Sequence, residues 1–226
     1  MEYQIRGTVM QTVDIQLQPG ETVYTESGGM AWMSENIEME AGMKGGLMGG
    51  LKRKMAGESM FLVDYTCQQG QGLMTFCAEV PGKIIPLQLA AGQSVICQKD
   101  SFMCAEQSVT LEMHFRKKAG AGLFGGEGFI LQKLTGPGTA FVELDGEVTE
   151  YELQAGQALR VDTGHLAMYE PSVNFDIVTV KGIKNMLFGG EGMFLARVAG
   201  PGKVWLQSMP LANLAGKIAR YLPTKG

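Results

Sequence analysis

The sequence predicts an all-β protein of tandem β-sandwich units in pseudo-repeat, closed by a C-terminal amphipathic helix. Three observations lead there. One stretch occurs twice, at 123–143 (LFGGEGFILQKLTGPGTAFVE) and at 187–207 (LFGGEGMFLARVAGPGKVWLQ), with no gap between the copies when aligned. Each copy is a glycine turn, a short apolar run, a Gly-Pro-Gly turn and a second apolar run, which is the signature of strands joined by tight turns. Short runs elsewhere alternate apolar and polar residues with a period of two, the pattern of a strand buried on one face.

Taken in order, VDIQLQPGETV (13–23) matches IPLQLAAGQSV (85–95), and LAAGQSV (89–95) matches LQAGQAL (153–159). Val13, Ile15 and Leu17 alternate with Asp14 and Gln16. Val109, Leu111, Met113 and Phe115 do the same, matched by Val173, Phe175 and Ile177, and Glu106 falls on Glu170. GESMFL (57–62) is a diverged copy of GEGFIL (126–131), with extra residues near Lys52–Lys54. Asp145-Gly146 between two apolar runs is a hairpin signal. The expected organisation is three β units, 1–70, 71–135 and 136–207, within one compact domain, followed by a tail at 208–226. In the tail, Leu211, Leu214, Ala215, Ile218 and Leu222 fall on one helical face between Pro210 and Pro223, so a helix packing on the β body is expected.

Composition bounds the function. The 226 residues carry a formal charge of −4, so no global basic field recruits nucleic acid. The four cysteines, Cys67, Cys77, Cys97 and Cys104, sit in apolar runs without a CxxC pair and read as reduced core thiols, hence a cytoplasmic protein. No secretory leader and no spanning apolar run is expected. Residues 120–125 (GAGLFG) formally match a dinucleotide-binding fingerprint, but a strand follows where that motif needs a helix. Two histidines are too few for a cupin-type metal site. No catalytic residue, cofactor or metal is therefore expected. A small-ligand or metal-dependent enzyme using a cleft between repeats, around Asp162, His165 and Tyr169, is the alternative. Trp205 reads as a core anchor, the counterpart of Phe141.

The string GGEGxFLxxxxGPGxxWLQS at 189–208, echoed at 125–143, resembles an uncharacterised bacterial and archaeal family grouped with the altered-inheritance-of-mitochondria proteins. That resemblance implies a fold like the tryptophan RNA-binding attenuator protein (TRAP), made of double-stranded β-helix units, and a homo-oligomer; edge strands left at both ends of tandem β units lead to the same expectation, with a trimer as the expected assembly. It implies no established enzymatic activity and transfers no site residue.

The glycine-rich loops remain. Nine basic residues lie across 42–58, 115–128 and 180–192, against three acidic ones, Glu58, Glu127 and Glu191. They alternate with large apolar side chains. The candidate binding surface is Leu47, Met48, Lys52, Arg53, Lys54, Lys117, Lys118, Leu123, Phe124, Lys184, Leu187 and Phe188. Basic groups around apolar tips suit an anionic membrane surface or a protein partner. The same residues also suit plugs for the sandwich ends or an oligomer seam. The expectation is a non-enzymatic binding or scaffold protein, peripheral at the cytoplasmic membrane face.

Overall fold

The computed structural model describes residues 1–26, 29–42, 62–117, 128–179, 194–219 and 221–222. Among them are nineteen strands and one α-helix. After β1 (Glu2–Arg6) come β2 (Thr12–Leu17), β3 (Thr22–Glu26), β4 (Met30–Met33), β5 (Ile37–Gly42), β6 (Leu62–Cys67) and β7 (Gly72–Cys77). The next six are β8 (Gly82–Leu89), β9 (Ser94–Gln98), β10 (Phe102–Glu106), β11 (Thr110–Lys117), β12 (Phe129–Thr135) and β13 (Gly138–Asp145). The last six are β14 (Val148–Leu153), β15 (Ala158–Asp162), β16 (Leu166–Tyr169), β17 (Asn174–Thr179), β18 (Phe194–Ala199) and β19 (Gly202–Gln207), before helix α1 (Leu211–Ala219).

Hydrogen bonding repeats every six strands. In the first set β2-β7-β4 and β5-β6-β3 form two ribbons, in the second β8-β13-β10 and β11-β12-β9, in the third β14-β19-β16 and β17-β18-β15. This frame takes in the strand that follows residues 70 and 135. Neighbouring sets join edge to edge: β3 pairs with β10 and β9 with β16, giving two six-stranded sheets flanked by a four-stranded and a three-stranded one.

The repeat reaches into side-chain detail. A β-bulge interrupts β4 between Met30 and Trp32, β10 between Phe102 and Cys104, and β16 between Leu166 and Met168. Glu21, Gln93 and Gln157 each accept a hydrogen bond from the backbone N–H three residues earlier. The glycine turn is also held alike. The Ser34 hydroxyl accepts from Leu73 N (2.9 Å), Glu106 Oε2 from Thr139 N (2.6 Å), and Glu170 Oε2 from Lys203 N (3.0 Å). At that turn Gly138 and Gly202 have φ of 135° and 137°, a region that disfavours side chains.

Three apolar cores separate the four sheets. Alternate residues of one strand enter different cores, Val23 the first and Tyr24 the second, Val95 the second and Ile96 the third. The two central sheets are thus apolar on both faces. Phe141 is fully buried and Trp205 is half-buried against the second core, so Phe141 is the stronger anchor. Cys67, Cys97 and Cys104 are buried free thiols, and burial pushes Cys97 up to about 12.

Helix α1 forms where the apolar face predicts it, but that face is not buried. Leu211 and Ile218 are exposed, and no residue of the helix is buried. Polar contacts attach it instead: Leu211 N donates to Asp145 Oδ2 at 2.9 Å, and Asn213 Nδ2 lies 3.3 Å from His165 Nε2.

Candidate functional sites

Of the twelve loop residues selected from the sequence, only Lys117 falls in the described part, closing β11 opposite Phe129. The other eleven lie outside the described residues. Their anchorage is nevertheless defined. Residues 43–61 connect Gly42 to Leu62, which are cross-strand partners in β5 and β6. Residues 118–128 connect Lys117 to Phe129, and residues 180–193 connect Thr179 to Phe194, again cross-strand partners. The strand pairs that these segments join, β5–β6, β11–β12 and β17–β18, therefore hold the same place in the six-strand repeat.

These hairpins pack in succession, residues near the connecting segment of one against residues near the opposite end of the next. Leu62 of the first shares the second core with Leu111 of the second. Phe115 and Phe129 of the second hairpin meet Phe175 of the third, with ring centroids 5.2 and 6.1 Å apart. Tyr169 also stacks on Phe175, at 5.6 Å. Aromatic side chains on β11, β12 and β17 thus hold the second and third hairpins side by side.

Two surface cavities stand out among the described residues. One, about 350 Å³, lies between the second and third sets and is lined by His114, Phe115, Lys133, Tyr169 and Phe175 among others. Burial pushes the Tyr169 phenol well above its usual range, and its hydroxyl has no hydrogen-bond partner. Burial, then the Lys133 charge, lowers the His114 pKa.

The other cavity, about 440 Å³, belongs wholly to the third set and is lined by Thr149, Tyr151, Leu159, Asp162, His165 and Leu206 among others. The cleft expected around Asp162, His165 and Tyr169 is therefore divided: the first two line this cavity and Tyr169 the former. The bulged strand β16 separates them, turning Tyr169 into the third core. Asp162 and His165 also have structural partners. Asp162 Oδ1 accepts from Gly164 N at 3.0 Å, capping a 3-10 turn, and His165 Nδ1 lies 2.8 Å from Gln207 O. Among the described residues no three His, Cys, Asp or Glu side chains converge as a metal site, and no helix is long and apolar enough to cross a membrane.

Residues 3–209 match the family model described as AIM24, mitochondrial biogenesis. The chain belongs to the AIM24 family. A family relative is an uncharacterised protein of Streptococcus pyogenes serotype M6, 30% identical over 227 residues, covering 97% of this chain and 90% of that one. The crystal structure of a Streptococcus pyogenes protein aligns with a TM-score of 0.78 at 26% identity, covering 98% of this chain and 99% of that one. The similarity therefore spans the whole AIM24 region, all three strand sets included.

In this AIM24 family member the first strand set carries at its β-bulge an exposed aromatic residue that the other two sets lack there. Trp32 is 51% exposed on β4, whereas its repeat counterparts Cys104 and Met168 are fully buried. The signal was available, since the bulge position holds Trp in the first set and smaller apolar residues in the others.

Proposed function

We propose that the chain is a non-enzymatic binding scaffold that presents three basic, apolar-tipped hairpins to an anionic membrane surface. The observation that carries this reading is positional. The three basic, glycine-rich segments join β5 to β6, β11 to β12 and β17 to β18, strand pairs at one equivalent place in the six-strand repeat. Equivalent positions in a repeat array share one side, so the tips act together. Each Lys or Arg near an anionic bilayer contributes about 1 kcal/mol, which salt screens. Apolar tips add an insertion contribution that salt does not screen.

Co-sedimentation with phosphatidylserine or cardiolipin vesicles tests the reading. Binding is expected to rise with anionic lipid and fall with salt. The triple reversal Lys52→Glu, Arg53→Glu, Lys54→Glu should weaken it on the order of a hundredfold or more. Phe124→Ser with Phe188→Ser should remove the salt-resistant part without unfolding the chain. No binding at low salt, or binding indifferent to lipid charge, refutes the membrane reading and turns the search to a protein partner.

A further inference from the structure

Strand β4 ends one sheet and β15 ends another, and each is the counterpart of a strand that is paired elsewhere in the chain. The repeat relates β4 to β10 and β16, and β15 to β3 and β9. The counterparts pair with one another: β3 with β10, and β9 with β16. The chain thus builds the same junction twice and leaves one half of it at each end. Both halves are uncovered. Ala31, Trp32, Arg160 and Asp162 are exposed, while the corresponding Met103, Cys104, Tyr24 and Gln98 are buried.

We infer that β4 of one copy pairs antiparallel with β15 of a second copy, seating Trp32 in the second copy's open 440 Å³ cavity. The register follows from the two existing junctions. Ala105 opposite Tyr24, and Tyr169 opposite Ile96, map onto Met33 opposite Arg160. Met168 opposite Cys97 maps onto Trp32 opposite Val161.

The side chains fit that register. In the second set, Ile85, Leu87, Val95 and Val142 are covered by Met168 and Trp205 of the third set, within one core. The same positions in the third set are Thr149, Tyr151, Leu159 and Leu206, which line the cavity. The counterparts of Met168 and Trp205 in the first set are Trp32 and Thr75, so bulk moves from one position to the other while the covering pair keeps one large ring. Tyr151, 44% exposed in the single chain, gains a partner in Trp32. Unpaired edge strands recruit further strands, and here the chain's own junctions specify which one. The contact is head-to-tail, so it closes into a ring or runs on as a filament. It uses neither the hairpin tips nor lipid and stands apart from the membrane reading.

The test uses the whole chain in lipid-free buffer. Light scattering across roughly 1–100 μM, the usual span of moderate interfaces, is expected to show assemblies above the 24.4 kDa chain. Trp32→Arg should weaken association more than about tenfold with an unchanged circular dichroism spectrum. As a second measurement, a Trp32→Cys chain mixed with a Val161→Cys chain and oxidised should yield a covalent dimer that neither yields alone. A chain that is monomeric throughout overturns the inference. So does an assembly insensitive to Trp32→Arg, or a doubly substituted Trp32→Cys, Val161→Cys chain that links only within itself.

Discussion

Glu143 is the most informative single substitution in the molecule. Its side chain is buried, and Oε2 accepts from Glu79 N at 2.9 Å. Burial foremost, then the charges of Glu79, Asp145 and Asp100, raises its pKa to about 7, against that backbone hydrogen bond, which lowers it. In the third set the same position is Gln207, whose Oε1 accepts from Asp145 N at 3.0 Å and whose Nε2 donates to Gly164 O at 2.9 Å. The repeat therefore already contains the neutral version of this contact. Between about pH 4.5 and pH 7 the folded chain holds a proton on Glu143 that the unfolded chain has released, so the stability from this group falls as pH rises through that window. The shift of roughly 2.5 pKa units corresponds to about 3 kcal/mol. Glu143→Gln should thus match the natural chain near pH 4.5 and exceed it by up to about 3 kcal/mol at pH 8, with the gap opening between. Chemical denaturation of both proteins at several pH values reads the difference directly. A gap independent of pH, or a Gln variant less stable at pH 8, would refute the burial argument.

Two further outcomes follow from packing and backbone geometry. Gly202→Ala should destabilise by about 1–3 kcal/mol in denaturant titrations, because φ is 137° and an added Cβ would collide with the Ser172 hydroxyl. Unchanged stability would show that the turn relaxes. Phe141→Ala should cost about 3–5 kcal/mol and Trp205→Ala less, since the first is fully buried and the second half-buried. The reverse order, read from denaturant midpoints, would show that burial does not rank these anchors.

What the sequence determined by itself is whatever is local or repeated. Turns at Gly-Pro-Gly and Asp145-Gly146 follow from backbone preference, and the all-β class follows from period-two runs such as Val13, Ile15 and Leu17. The helix at Leu211–Ala219 follows from its spacing and from Pro210 before it. The basic, glycine-rich segments were legible from composition, and the six-strand repeat shows that the strand pairs they join are equivalent. Tertiary structure alone decided what covers each face. Period two says that Val23 and Tyr24 point opposite ways, but not that both directions lead into a core. It says that α1 has an apolar stripe, but not that the stripe remains exposed. Asp162, His165 and Tyr169 are close in sequence, yet β16 sends them to different cavities. Trp32 and Met168 occupy the same repeat position, and only one has a neighbouring sheet over it. The physical reason is the same in each case. Side-chain periodicity is a property of a few bonded neighbours, whereas burial depends on strands brought from distant parts of the chain.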